Sequence, residues 1–538
     1  MALSTHERAA SETFGTPVLV VGAGPVGSVL ALGLARHRVP SILVEQSTSP
    51  SRYPKMDYIN GRSMELLRRL GLAEDIRRHG VSPEHSSNFI WTRSFDEPPV
   101  AVWKYASVAE MQERIATVND GSVGTEPYQR VQGSLLEEVV RRHARENPLV
   151  DFREGWTFTG LEQGPEGVTA FVTDPTGAPC TVRARYLAAC DGANSAVRHS
   201  LGIPVQLMAP PTQHCDVYFK SSDPVLRQYG RAFLTITARG LTLVSRDEKD
   251  TWTGTFVTTE EEAATVDPVS SMYQRFGVEF TIDKVLNIAR WQGALAAAES
   301  YRKGSAFLVG DSAHHFYPTG GHGANTGLGD AADLEWKLAA CLNGWGGPGL
   351  LDSYEVERRP VGLFNREMCA NLLEVWLRFA RLSADGASRE QLAGFLAQET
   401  YQLDNVGIHF GYRYSGSPVI CHEDGPAPPW DWRRITPTTW PGGRAPSVRL
   451  ADGSALYDHL QSELTLVDLS GSNTGEAMAK EARERGVPVS YLAVDDESVR
   501  SAWERDLVLV RPDQHVAWRG NDVPDDWDAV LDRVRGCQ

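Results

Sequence analysis

The chain has few cysteines and none of them are paired. Its seven, at positions 180, 190, 215, 341, 369, 421 and 537 of 538 residues, form no CxxC and no zinc-ligand spacing. Dithiol chemistry and a structural zinc are therefore not expected, and scattered reduced thiols predict a cytoplasmic protein. Positive charge is also short: 53 Lys and Arg stand against 69 Asp and Glu, a net charge of −16. Counterion-release binding needs a basic surface, so nucleic acid is not an expected partner, and anionic lipid is disfavoured for the same reason. The opening residues, MALSTHERAASETFGT, carry His6, Glu7, Arg8 and Glu12 and lack the apolar core of a signal peptide. One uncharged run, Phe14 to Ala35, is 22 residues long, enough to span a bilayer, but it holds Pro17, Pro25 and grouped glycines at 15, 22, 24, 27 and 33. That grouping predicts a strand, a tight turn and a helix, so no membrane partner is expected. The remainder is ordinary for a globular chain, 41% hydrophobic and 23% charged, with a length that allows three or four domains.

Val18-Leu-Val-Val21 reads as a buried parallel strand. Gly22-Ala-Gly24-Pro-Val-Gly27 follows, then a helical pattern through Leu30, Leu32, Leu34 and Ala35. A second strand, Ser41-Ile-Leu-Val44, ends in Glu45, 23 residues after Gly22. In a dinucleotide site the first glycine permits the turn, and the second lets the backbone approach a pyrophosphate. The third allows close helix packing, while the helix N-terminus offers N–H donors. Glu45 would accept hydrogen bonds from a ribose. This unit does not distinguish FAD from NAD.

Two later segments bear on that choice. Arg185-Tyr-Leu-Ala-Ala-Cys190 is an apolar strand that ends in an Asp191-Gly192 turn. Ala306-Phe-Leu-Val309 is another, running into Gly310-Asp311 and then into Pro318-Thr-Gly-Gly321-His-Gly323-Ala-Asn325. A helix is predicted from Ala331 to Leu342. Closely spaced glycines give the backbone access to a flat ligand, to which the following helix presents its positive end.

Together GAGPVG…E, DGANSAVR and GDSAHHFYPTGGHGANTGLGDAADLEWKLA resemble the three fingerprints of the class A, single-component FAD-dependent aromatic hydroxylases, the p-hydroxybenzoate hydroxylase-like family. Tyr354-Glu-Val-Glu-Arg-Arg-Pro360, Gln132-Gly-Ser-Leu-Leu-Glu137 and Pro512-Asp-Gln-His-Val-Ala-Trp-Arg519 extend the likeness from about residue 17 to 520. Within the family the chain is most similar to phenol- and chlorophenol-type monooxygenases with a thioredoxin-like tail. The resemblance implies an α/β fold: a Rossmann-like FAD-binding domain, a β-sheet substrate domain and a C-terminal thioredoxin-like α/β domain. It gives Gly22, Gly24 and Gly27 to the FAD pyrophosphate, Glu45 to the adenosine ribose, and Arg62 and Gln132 to the phosphate–ribityl region. Asp191 would serve both FAD and NAD(P)H, Gly310 and Asp311 the ribityl chain, and Pro318, Gly321, Gly323 and Asn325 the flavin ring. Four positions depart from the common family pattern: His322, where many relatives have Gln, Ala324, Lys55 and Gln46.

The implied reaction is oxygen transfer from a flavin C4a-hydroperoxide, an electrophile that needs an electron-rich ring. A phenol becomes richer when its hydroxyl meets a base. Asp57, five residues before Arg62 in Met56-Asp-Tyr-Ile-Asn-Gly-Arg62, stands where phenol 2-hydroxylases place an Asp against the substrate hydroxyl. The other reading of Asp57 is a cap for the helix near Arg62, or a side chain facing water. His314, His315 and His322 invite a metal, but adjacent histidines do not share a coordination face and no carboxylate or Cys sits at ligand spacing. No metal is expected, and the family pattern makes His314 a packing residue. Trp430-Asp-Trp432 reads as loop packing.

The expected organisation is a first FAD-binding part (1–90), a substrate-domain segment (91–120), a second FAD-binding part (121–199) and a β-sheet substrate domain (200–295). A third FAD-binding part with long helices (296–400), a Pro-rich linker (401–440) and a separate tail (441–538) without redox cysteines follow. The tail holds 11 Lys and Arg against 18 Asp and Glu, nearly half of the net charge, so the acidity says little about the substrate. The expected activity is hydroxylation of a phenolic or similarly electron-rich ring with O2 and with NADPH or NADH as a transient cosubstrate, by a homodimer. The same flavin machinery also allows Baeyer–Villiger or polycyclic natural-product oxygenation, an oxygen-independent dehydrogenase or reductase, or flavin binding without catalysis.

Overall fold

The computed structural model describes residues 12–51, 53, 56–400 and 405–538. Lys55 and the charged residues of the first 11 positions lie outside them. The apolar runs assemble into an eight-stranded sheet. Its main path runs Arg302–Lys303, Ala306–Leu308, Pro179–Ala189, Glu12–Val21, Ser41–Glu45 and Val150–Glu154, with a hairpin, Thr157–Gly164 and Gly167–Thr173, attached to Pro179–Ala189. The central strands are parallel, with Val21 opposite Val44 on one side and Ala189 on the other, and Ala189 opposite Leu308. This register brings the four motif strands to one sheet edge, so Gly22, Glu45, Asp191 and Gly310 leave the sheet side by side. Ligands of open α/β sheets bind at that carboxyl edge.

The uncharged run lies within the strand Glu12–Val21 and the helix Pro25–Arg36, whose residues Gly27 to Ala35 are all buried. Among the described residues no helix is long and apolar enough to cross a membrane. The helix Pro25–Arg36 lies against a second one, His322–Leu342, and a Cβ on Gly33 would overlap the Glu335 carboxylate. This second helix begins at His322, not at Ala331. Glycine normally weakens a helix, but here a Cβ on Gly327 would come within 2.8 Å of Val26 and 3.0 Å of Gly310 Cα. The glycines let the helix start close to the dinucleotide turn.

A seven-stranded sheet covers that edge, in the order Lys284–Gly293, Thr212–Lys220, Thr251–Val257, Leu241–Ser245, Leu234–Thr237, Phe89–Thr92 and Ala101–Trp103. Alternation along its strands separates two faces. Cys215, Val217, Phe219, Leu241, Leu243, Trp252 and Phe256 form a core with Met272 and Phe276 of the helix Pro268–Phe276. His214, Asp216 and Tyr218, with Trp291 opposite His214, take the other face, toward the FAD-side sheet.

The tail does not stand apart. Its sheet, ordered Val489–Ala493, Leu464–Asp468, Leu507–Val510 and Val516–Gly520, shares one core with Trp336, Ala340 and Leu350 from the helices His322–Leu342 and Pro348–Ala384. The stretch read as a linker is tied in as well: Tyr414, Val419 and Ile420 are buried. The indole N–H of Trp430 donates to the Gly407 carbonyl at 3.1 Å, and its ring meets Phe364 edge-on. A fully buried cluster seals the seam. Arg511 donates to Glu357 (2.7 and 2.8 Å), Asp333 (2.8 Å) and Asp513 (2.6 and 3.1 Å), while Lys337 donates to Asp333 (2.8 Å) and Glu357 (2.5 Å).

Candidate active site

Gly22 and Gly27 shape the first turn. Gly22 has φ +100°, and a Cβ on either glycine would overlap backbone, of Cys190 and of Gly22 respectively. Gly24 differs: a Cβ there would meet nothing within 4 Å. The helix that starts beside it has Pro25 in its first turn, no side-chain cap and no acidic residue there. Free amides facing open space are suited to a phosphate. Glu45 is held by the Ala23 amide (2.8 Å) and the Ser47 amide (2.9 Å), with Arg141 at 3.4 Å. Arg141 donates from Nε to the Ala23 carbonyl at 2.9 Å, while its buried Nη1 makes no hydrogen bond and lies 3.9 Å from Glu154. Sequence reasoning missed Arg141; the signal was its position four residues after Glu137, its ion-pair partner at 2.6 Å.

At the second turn, Asp191 accepts from the Val197 amide at 3.0 Å. Its Oδ1 is buried without a partner, and burial raises its pKa. At the third, Gly310 (φ +63°) donates its amide to Asp330 at 3.1 Å. Asp330 also binds His314 Nε2 and Arg358 Nε, each at 2.8 Å, which places His314 in the packing behind the loop. Asp311 and Pro318 are exposed. Gly321, at φ +68°, starts the helix His322–Leu342, which has neither a side-chain cap nor an acidic first turn. A Cβ on Gly323 would find its nearest atoms at 4.0 Å. Asn325 ties the loop to the segment before it: Oδ1 accepts from the Asn60 amide (3.0 Å), and Nδ2 donates to the carbonyls of Gly321 (2.6 Å) and Tyr58 (3.1 Å). His322 is buried beside His409 with both ring nitrogens unpartnered, and burial lowers its pKa to about 4. Among the described residues no three His, Cys, Asp or Glu side chains gather as a metal site. Gln46 is exposed. Uncapped helix starts, an exposed Asp311 and the buried, unpartnered Oδ1 of Asp191 fit a flavin dinucleotide laid along the sheet edge.

Arg62 has other partners. Its guanidinium is buried and donates to the Asp513 carbonyl (2.7 Å), to Glu65 (3.2 Å) and to Gln514. It binds the tail across the seam, drawn there by Glu65 and by acceptors on a turn about 450 residues away. Gln132 precedes the helix Gly133–Glu146, and its side-chain oxygen accepts from the Tyr218 hydroxyl at 3.2 Å.

Asp57 faces the covering sheet. The helix Gly61–Arg69 is capped by Asn60, whose Oδ1 accepts from the Ser63 amide at 2.8 Å, so the capping reading of Asp57 falls. Asp57 Oδ2 is bound by Arg246, which also donates to Thr253 Oγ1 at 2.9 Å; Asp57 Oδ1 is buried without a partner. Beside them Tyr53 donates its hydroxyl to Asp216, and Trp291 donates its indole N–H to the same carboxylate at 2.8 Å. His214 stacks on Trp291, centroids 4.3 Å apart and planes 10° from parallel, and Tyr317 lies 5.7 Å from His214. These residues carry no motif. Their signal was the alternation His214, Asp216, Tyr218 against Cys215, Val217, Phe219.

The comparisons with known proteins agree with this geometry. The model of the FAD binding domain matches residues 15–364, and that of the aromatic-ring hydroxylase C-terminal region matches residues 438–537. The chain belongs to the class A FAD-dependent aromatic hydroxylases. It is 33% identical to the FAD-dependent monooxygenase apdD of Emericella nidulans, over 94% of this chain and 88% of that protein. The structure of the rebeccamycin biosynthetic enzyme RebC with reduced flavin is similar at a TM-score of 0.86, with 31% identity over 98% of this chain and all (100%) of that one. A ternary complex of aklavinone-11 hydroxylase with FAD and aklavinone is similar at a TM-score of 0.81, with 26% identity over 99% of this chain and 100% of that chain. The hydroxylase is an FAD-dependent monooxygenase with NAD(P)H as electron donor.

The glycines give a direct check on the turn. Gly24→Val is expected to fold with unchanged circular dichroism and to bind FAD about 10- to 100-fold more weakly, since its side chain fills the open space at the helix start. Gly27→Val is expected to lose folded protein along with FAD, because its side chain overlaps backbone. Equal FAD titrations for Gly24→Val and the parent would show that the pyrophosphate lies elsewhere.

Proposed function

We propose that this hydroxylase acts on a flat phenolic substrate, with polycyclic phenols as the preferred class, bound between the FAD edge and the covering sheet. The observation that carries the reading is Asp57, a carboxylate oriented by Arg246 through one oxygen while the other is buried and unpartnered. A ring hydroxyl, with an ordinary pKa of about 10, donates to that oxygen and so enriches its ring. Burial alone would depress the Arg246 guanidinium, but Asp57 more than offsets it and raises its pKa, so Arg246 stays charged and holds the carboxylate in place. Trp291, His214 and Tyr317 supply an aromatic wall for a fused ring system. Burial lowers the His214 pKa, which keeps this ring neutral beside the substrate. FAD bound at the sheet edge would supply the redox and oxygen-transfer chemistry, with NAD(P)H and O2, while Asp57 and the aromatic wall hold the ring. The structural relative solved as a ternary complex with FAD and aklavinone supports a ligand bound beside the flavin.

For FAD we propose Gly22, Gly24, Gly27 and Glu45 at the adenosine diphosphate, Gln132, Asp191, Gly310 and Asp311 along the ribityl chain, and Pro318, Gly321, Gly323 and Asn325 at the ring. Arg62 supports this set from the tail side. The division into an interrupted FAD domain, an inserted substrate domain and a tail is likewise proposed. The tail's strand order, with one antiparallel strand beside a βαβ unit, supports a thioredoxin-like fold, and Cys537 as its single cysteine leaves it no dithiol. A cytoplasmic homodimer completes the proposal.

The test is NAD(P)H oxidation by the FAD-loaded protein over a panel of mono- and polycyclic phenols under 18O2. Stimulated oxidation with one labelled oxygen in the product is expected. Oxidation indifferent to every phenol, or an unlabelled product, would overturn the reading.

A further inference from the structure

Asp216 is a buried carboxylate, 4% exposed, on the face of the covering sheet that meets the FAD side. Its Oδ2 takes both the Trp291 indole N–H, at 2.8 Å, and the Tyr53 hydroxyl, while its Oδ1 is buried with no partner. Asp57, on the opposite wall, repeats the pattern: Oδ2 bound by Arg246 and Oδ1 buried and bare. Buried polar atoms in folded proteins are almost always paired. Two carboxylates that each withhold one oxygen, in one polar cluster beside the aromatic wall, are therefore completed by a ligand. Carboxylate oxygens only accept, so the ligand supplies donors at two points. An anionic ligand fits poorly, since Arg246 already serves Asp57 and Thr253 and the remaining charges would repel it.

We propose that Asp216 is a second recognition point, accepting a hydrogen bond from a donor other than the hydroxyl that Asp57 engages, so that the preferred substrate carries two hydroxyl or N–H donors on its rings. The inference rests on the phenol reading of Asp57 and adds the specificity. Trp291 and Tyr53 hold the Asp216 carboxylate so that it meets the second donor without rearranging.

The experiment compares 1-naphthol with the dihydroxynaphthalene isomers on the FAD-loaded parent and on Asp216→Asn. For the parent, at least one dihydroxy isomer is expected to exceed 1-naphthol in kcat/KM by about 10- to 100-fold, chiefly through KM, the range of a hydrogen bond to a charged acceptor. In Asp216→Asn, which presents an amide N–H where the bare oxygen lies, that ratio is expected to fall to within about threefold. A parent that hydroxylates 1-naphthol with no preference for any isomer, or a ratio unchanged in Asp216→Asn, would overturn the proposal and leave the phenol reading standing. No hydroxylation of any naphthol would remove both. A measurement on the parent alone guards against a variant that does not fold. The mono-O-methyl ether of the best isomer keeps the oxygen and loses the donor, and it is expected to perturb the flavin spectrum with a Kd about 10-fold higher or more. Equal Kd values would refute the second donor contact.

Discussion

Asp57→Asn is expected to lower kcat by about 10²- to 10⁴-fold, the usual worth of a positioned proton acceptor, while FAD content and affinity stay at the parent level. The amide is isosteric and keeps an oxygen for Arg246, so the guanidinium is not stranded and the fold is retained. What is lost is the acceptor at the bare Oδ1, and with it the pull on the substrate hydroxyl. The deficit is expected to narrow as pH rises toward the substrate's own hydroxyl pKa, near 10, because solvent then removes the proton that Asp57 would have drawn off. Rapid-scan spectra separate this from damage to the cofactor site, since they follow flavin reduction and oxygen transfer as distinct steps. Unchanged kcat in a variant with full FAD content would remove Asp57 from the chemistry.

How far the sequence spoke differs from residue to residue. Gly22 and Gly27 were legible because their requirement is local: a positive φ at Gly22 and the absence of a side chain at Gly27 are properties of the turn itself. The same holds for the strands ending at Glu45, Asp191 and Gly310, whose apolar runs match parallel pairing. The helix start at His322 was hidden, because glycine at 323, 327 and 329 argues locally for a loop. Packing against Val26 and Gly310 overrides that propensity. Arg62 was readable as a conspicuous cation but not as a tail contact, since Asp513 and Gln514 are about 450 residues distant. Asp57 was found through its place before Arg62, whereas Arg246, 189 residues later, belongs to a sheet face whose pattern says only that one side is polar. Long-range pairing of charges is set by the fold and leaves no spacing in the chain.

Arg511→Met is expected to destabilise the hydroxylase by about 3–5 kcal/mol, the range found when one partner of a buried ion network is removed. Three carboxylates, Asp333, Glu357 and Asp513, lose their shared guanidinium, and Lys337 touches only the first two. Burial opposes ionisation of Glu357, yet Arg511 and Lys337 together hold it far below the ordinary carboxylate range; Asp333, with burial dominant, is raised well above it. A depressed carboxylate stabilises the fold above its unfolded pKa and loses that contribution as pH falls. Without Arg511 the sign reverses. Carboxylates buried with too little positive charge have folded pKa values above their unfolded ones, favouring the fold at low pH and losing ground as pH rises. The gap between variant and parent is thus expected to be widest near pH 8 and to shrink toward about pH 5. Denaturant midpoints followed by tryptophan emission suit this seam, because Trp336, Trp345, Trp518 and Trp527 share its core. The docked tail also supplies the partners of Arg62, so the variant is expected to release FAD more readily and to expose the tail to limited proteolysis. A loss below about 1 kcal/mol, or one independent of pH, would mean that the apolar core alone holds the tail in place and that the ion network adds no net stability.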